Sequence, residues 1–410
     1  LPAGERITWG RSVEMSFANE KTRRSDGTTA TRPIIKQATF YENVELRQGP
    51  DANADMLQCR DSLTVHMAKG RRNSIYPSSA VAVGHVRGRQ EGAEISAGTI
   101  RVDFVEANPA QAGAAAASGS ARTGQTLLAG GARIRPSRVV ADGGVILTDR
   151  SDPNEPLKAS CESLVSELIP GRGEKRTALL IGRADEPALI QQGANKFTGE
   201  KIRLDQTDDS AGVEGPGTLD FVTKKDMDGK ALPEPRLVKV QWARKMSFSG
   251  GKRTASFLGD VKLDSDLDSV VAQDLQLVFT QQLPDPNAPV AAARPKRNSG
   301  ATGAMAVGME QYSRRRIAMI FADKDIVLAS KRLDEKNRLL RRMQLTGEKL
   351  IYNAAEERIT MLGYGTFINE DYSAPRPRKT AGADGFTPAV DRPSQSAFEW
   401  KKAMELSQSE

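Results

Sequence analysis

The sequence predicts a mostly β protein, built from repeated strand–turn–strand units and interrupted by long polar loops. Three observations predict it. Short alternating apolar segments recur along most of the chain, helical periodicity is scarce, and one nine-residue pattern returns with its spacing intact.

The alternation is clearest in Val13-x-Met15-x-Phe17, Leu63-x-Val65-x-Met67, Ile100-x-Val102-x-Phe104 and Leu275-x-Leu277-x-Phe279. A period of two puts these side chains on one sheet face, with Thr64, Arg101, Asp103 and Gln276 on the other. Gly, Asp, Asn and Pro turns separate the segments, as in proteins made of many short strands. Lys331–Leu345 has the composition of a short helix, yet its end, Met343-x-Leu345, alternates as a strand does.

The returning pattern joins Ala38-Thr39-Phe40-Tyr41-Glu42-Asn43-Val44-Glu45-Leu46 to Ala255-Ser256-Phe257-Leu258-Gly259-Asp260-Val261-Lys262-Leu263. Ala, Phe, Val and Leu recur at identical spacing, and Asn43 answers Asp260. Upstream, Ile7-Thr8-Trp9-Gly10-Arg11 answers Val240-Gln241-Trp242-Ala243-Arg244. The expected element is a strand, a tight turn at Asn43 or Asp260, and a second strand, with the shared apolar residues on one face. Weaker copies read Ala80-x-Ala82-x-x-His85-Val86, Val139-x-Ala141-x-x-Gly144-Val145-x-Leu147 and Ala178-x-Leu180-x-x-Arg183. Alternation places Phe40, Val44, Leu46, Leu63, Val65, Val86, Val102, Phe104, Phe257, Val261, Leu263, Leu277 and Phe279 in one continuous apolar layer.

Polar stretches break this array at Lys21–Arg32, at the Ala/Gly/Ser-rich residues 107–124, at 281–311 and at 373–396. They read as long hairpin loops or linkers, since they offer little apolar surface to bury. The organisation expected is a first β unit over 1–206, with loops at 18–33 and 107–124, and the start of a second over 207–280. A Pro/Ala-rich basic loop or linker follows over 281–312, then a continuation of the β unit over 313–372 and a flexible segment over 373–410. The basic Arg294-Pro295-Lys296-Arg297 reads as a solvated loop.

The chain of 410 residues is 38% hydrophobic and only 5% aromatic, which disfavours a collagen-like or wholly disordered chain and a core of stacked rings. No run approaches the ~20 apolar residues of a membrane helix. Opening on Leu-Pro-Ala-Gly without a basic or apolar leader, it reads as a processed or excised piece. A net charge of +7 suits an anionic partner, but strands lack the aromatic–basic interleaving of single-strand binders, so no nucleic acid is expected.

No catalytic constellation emerges, and neither a metal nor a cofactor is expected. His66 alternates out of phase with Leu63 and Val65 and reads as a surface strand residue. His85 takes the Asn/Asp place of the turn. Asp264-Ser265-Asp266-Leu267-Asp268-Ser269 imitates a calcium loop, but Ser269 stands where Gly is required and Leu275 where Glu is required. It reads as an acidic hairpin turn. Cys59 and Cys161 either bridge in an oxidising compartment or remain separate thiols.

These segments resemble the OstA-like lipopolysaccharide-transport proteins of the periplasm. Ala38–Leu46, followed by Ala54-Asp55-Met56-Leu57 and Leu63–Met67, is similar to that family's unit, and so is Phe257–Val261 with Leu275–Phe279. Gly347–Ala354, leading through Glu356-Glu357-Arg358 into Ile359–Gly363, resembles its recurring hairpin. The resemblance implies tandem twisted, open β-jellyroll repeats, each a folded-over β-sheet, whose inner face is an apolar groove for acyl chains. The thirteen apolar residues named above would line it, and Arg47, Arg101 and Lys262 would meet headgroup phosphates. The implied function is non-enzymatic: a periplasmic or cell-envelope bridge that binds lipopolysaccharide or a similar lipid and stacks with other OstA-like β-jellyroll proteins through edge strands. The alternative is a structural envelope scaffold with a fully packed interior.

Overall fold

The computed structural model describes residues 5–23, 28–48, 55–70, 75–90, 92–106, 134–150, 155–169, 175–225, 231–280, 317–334, 336–356, 358–372 and 394–407. Among these the chain is mostly antiparallel β, with 24 strands and no helix. The described residues form two compact units, the first holding 5–193 and 198–209, the second 194–197 and everything from 210 onward. Residues 107–124 and 281–312, expected as loops, lie outside the described residues.

The first unit is a meander of β1 (Glu5–Thr8), β2 (Val13–Arg23), β3 (Thr29–Tyr41), β4 (Val44–Gln48), β5 (Asp55–Cys59), β6 (Ser62–Lys69), β7 (Ile75–Gln90), β8 (Ala93–Glu106), β9 (Ile134–Asp149), β10 (Leu157–Leu168), β11 (Arg176–Ile181), β12 (Ala188–Gln192) and most of β13 (Asn195–Asp205). Each pass of the chain crosses two layers, because long strands change partner midway. Ile75–Val83 of β7 pair with β6, whereas Arg87–Arg89 pair with β5. Leu157–Ser160 of β10 pair with β12, and Ser163–Leu168 with β11.

The bend is built from two consecutive residues with left-handed backbone: Glu42–Asn43, Gly84–His85 and Gly143–Gly144. Each pair within a strand adds residues relative to its neighbour, as the register shifts beside Val83–Val86 and Ser96–Thr99 record. Such a bulge bends a strand, and Gly, Asn, Asp and His tolerate the conformation best. Asn43 and His85 therefore mark corners, not the hairpin turns expected from the sequence. The chain passes through them and continues in the second layer.

Alternation then fills the space between layers. One row runs Phe40, Leu63, Ala82, Ile100, Ala141, Leu164, Leu180 and Ile202, each opposite the next in register and all buried. Large and small side chains alternate along the middle of it, so each Ala leaves room for its neighbours. Burying each Leu or Ile contributes about 1.5–3 kcal/mol. The polar stretch expected as a loop at 18–33 is mostly strand, since β2 and β3 pair as far out as Arg23 and Thr29.

The second unit runs β14 (Ser210–Lys225), β15 (Ala231–Trp242), β16 (Lys245–Ser249), β17 (Thr254–Ser265), β18 (Asp268–Phe279), β19 (Ile317–Leu333), β20 (Leu339–Asn353), β21 (Arg358–Leu362), β22 (Gly365–Asp371), β23 (Ser394–Trp400) and β24 (Ala403–Ser407). Its corners include Gly259–Asp260 and Lys324–Asp325. Thr254–Leu258 of β17 pair with β16 and Lys262–Ser265 with β15. Lys331–Leu345 is not helical. Asp334 accepts the backbone N–H groups of Lys336 and Arg338, closing a turn between β19 and β20. Residues 394–407, expected within a flexible segment, pair as β23 with β22 and β24 with β21.

Candidate functional site

The candidate site is the apolar inner face of each unit, together with the edge strands where that face runs out. In the first unit, Phe40, Val44, Leu46, Leu63, Val65, Val86 and Phe104 are buried, the tightest at 1% exposure. Val102 lies in the inward row between Ala80 and Val139, but is only half-buried. In the second unit, Phe257, Val261, Leu263, Leu277 and Phe279 are all buried, Phe257 completely. Apart from Val102, protein atoms leave these residues no more than 9% exposed, so the layer is closely covered at the centre of each unit.

The face changes character at the first unit's open edge. Met15 stands opposite Ala38, which stands opposite the inward Val65, and Phe17 stands opposite Ile35. These positions share the inward face, yet Met15 is 51% exposed and Phe17 59%. Among the described residues, β2 pairs only with β3 and β1 only with β4. Trp9, in the corner between β1 and β2, lies against Phe40 with ring centroids 5.4 Å apart and is 46% exposed. At the far end of the second unit, Phe398 lies 4.7 Å from the buried Phe367 but is itself half-exposed. Sequence reasoning marked Val13-x-Met15-x-Phe17 as alternating, but only the structure shows that Met15 and Phe17 stay more than half exposed.

The three cations expected to meet phosphates are each held by a carboxylate two residues away: Arg47 by Glu45 at 2.9 Å, Arg101 by Asp103 at 3.1 Å and Lys262 by Asp264 at 2.8 Å. These are surface pairs on outward faces, each worth under about 1 kcal/mol. His66 is exposed on β6, and His85 is exposed at its corner. Asp264 and Asp268 face one another's neighbours across a two-residue hairpin loop, with Asp264 opposite Ser269. Among the described residues, no group of three His, Cys, Asp or Glu is placed to hold a metal ion.

Cys59 and Cys161 are separate thiols. Burial pushes Cys59 up to about 11 and Cys161 up to about 12, so both stay protonated near neutral pH. At the corner below Gly84, the guanidinium of Arg60 donates to Asp61 and holds its carboxyl below the usual carboxylate range.

No protein-family model matches the chain, and no curated protein matches it. Among solved structures, it is similar to LptH from Pseudomonas aeruginosa, described as the LptA-homologous periplasmic component of the lipopolysaccharide transport device. That match has 17% sequence identity and a TM-score of 0.22, and covers 31% of this chain and 78% of LptH.

Proposed function

We propose that this chain is a non-enzymatic lipid-binding bridge of the periplasm or cell envelope. It holds acyl chains of lipopolysaccharide or a similar lipid against its inner face and joins other β-jellyroll proteins through edge strands. One observation carries the reading: the inward apolar face continues past the packed centre onto Met15, Phe17 and Ile35, which stay 51%, 59% and 39% exposed. Open edges of this kind offer a row of backbone donors and acceptors to another strand. Exposed apolar side chains beside that row suit either an acyl chain or the apolar face of an incoming module.

A second reading, the packed scaffold, is favoured by the near-zero exposure of Leu63, Val86 and Phe257. Lipid must part the layers to reach those residues. Photo-crosslinkers at Phe17, Val65, Phe104 and Leu277 separate the two. Adducts with lipopolysaccharide or phospholipid in an envelope extract, at the edge and the interior alike, support the lipid bridge. Adducts confined to the chain itself or to protein partners sink the lipid reading and leave the scaffold.

A further inference from the structure

Trp9 and Trp242 occupy matching corners with different surroundings. In the first, the N–H of Gly10 donates to Glu42 O and that of Arg11 to Tyr41 O; in the second, Ala243 donates to Gly259 O and Arg244 to Leu258 O. The flanking pairs also correspond. Ile7 opposite Leu46 matches Val240 opposite Leu263, and Met15 opposite Ala38 matches Phe248 opposite Ala255. Each Trp lies 5.4 Å from the Phe of its neighbouring strand.

The other side of the corner differs. β14 bends at Gly215, whose φ is +84°, so that Ser210–Glu214 pair with β16 and Gly217–Lys225 with β15. At the bend, Gly215 N–H donates to Arg244 O at 2.9 Å, and Gly215 O accepts the Trp242 indole N–H at 3.2 Å. Ala211 and Val213 cover Phe248 and Met246. Trp242 is consequently 3% exposed and Phe248 3%, against 46% for Trp9 and 51% for Met15.

We infer that the β1–Trp9–β2 edge is a receptor for one bent strand of β14 chemistry: alternating small and apolar inward residues with a glycine at the bend. One half would pair with β2 and the other with β1, while the glycine carbonyl accepts the Trp9 indole and its N–H donates to Arg11 O. The glycine is required because its backbone is left-handed where both hydrogen bonds form. This excludes the C-terminal edge of a second copy, Phe398–Leu406, which carries Trp400-Lys401-Lys402 at its corner. The inference rests on the edge-pairing part of the bridge reading and names the partner strand.

The test adds a labelled peptide of residues 209–225 to the full chain and follows anisotropy. Saturable binding is expected, weakened about tenfold or more by Trp9→Ala, the loss typical of a central aromatic anchor, and also by Met15→Lys. A Gly215→Val peptide should not bind. Binding that survives both chain variants would mean the peptide displaces the chain's own β14, and overturns the inference. So does equal binding by the Gly215→Val peptide, or preference for a peptide of residues 394–407. Lipid crosslinking that fails while peptide binding persists removes the lipid reading alone. Peptide failure, with a β-jellyroll partner still captured at the edge, removes only this inference.

Discussion

Asp61 stands beside Gly84 with its carboxylate in the space that a Cβ on that glycine would need. Gly84 also has φ +87° and opens the left-handed pair that turns β7 from one layer into the other. Two separate costs therefore fall on Gly84→Ala: an unfavourable backbone and a displaced, ion-paired Asp61. Together they should destabilise the first unit by about 1–3 kcal/mol. Adding Asp61→Ala should recover the steric part and leave the backbone part, read as a partial return of the denaturation midpoint. No loss in the single variant would mean the bend does not depend on this corner.

Phe257 is fully buried and lies 5.4 Å from Trp242, whereas Phe398 is half-exposed on the last edge. Phe257→Ala should cost about 3–5 kcal/mol from lost transfer energy and the cavity left behind. Phe398→Ala should cost about 1 kcal/mol, the worth of an aromatic pair at a surface. Phe257→Asp should be worse than either, because it buries an unpaired charge. Equal midpoints for the Phe257 and Phe398 alanine variants would show that the inward register of β17 is misread.

The alternating segments and the Trp9–Trp242 correspondence were legible because period-two burial writes the inward face directly into the sequence. The corners were half legible. Asn43, His85, Gly144 and Asp260 stand out by residue type at the same distance from an apolar residue. Whether such a residue closes a hairpin or bends a continuing strand depends on which strands pair on either side, and local sequence does not carry that. Lys324–Asp325 was missed although Ile320-x-Ala322-x-x-Asp325-Ile326-x-Leu328 has the same spacing, with Asp325 in the place of Asp260. The open edge at Met15 and Phe17 was illegible for a plainer reason. Those side chains alternate as core residues do, and their exposure follows from β2 pairing, among the described residues, only with β3, not from any residue within β2.

The two thiols make stability depend on alkaline pH. Their folded values of about 11 and about 12 lie above the ordinary thiol range, because burial penalises the thiolate. Below that ordinary range both folded and unfolded chains keep the protons, and this contribution is fully present. As pH rises, the unfolded chain loses its protons first, so stability falls through the window up to about 11 for Cys59 and about 12 for Cys161. A Cys59→Ala, Cys161→Ala variant should show a flatter decline in midpoint from about pH 8 upward. Native chain should also alkylate far more slowly than denatured chain near neutral pH. Fast labelling of both thiols in the folded protein would show the β5 and β10 corners to be open.

The three tryptophans offer a direct measure of which edges are covered. Trp9 is 46% exposed, Trp242 3% and Trp400 8%. Trp242 is held between Phe197, at 6.3 Å, and Phe257, and its indole N–H is bonded to Gly215 O. Trp400 packs over Gly365 and Gly347, whose missing side chains make room for its ring. Variants keeping one Trp each, with the other two replaced by Phe, should therefore differ sharply in acrylamide quenching. Trp9 should be quenched several-fold more strongly than Trp242 and emit further to the red, while Trp400 should behave as Trp242 does. Should Trp9 prove as protected as Trp242 in the isolated chain, the first edge is already occupied, and the apolar surface at Met15 and Phe17 is not available to lipid or to a partner strand. Should Trp9 be open alone and become protected on adding a β-jellyroll partner, the gain in protection locates the junction at β1 and β2, because Trp9 is the only tryptophan at that edge.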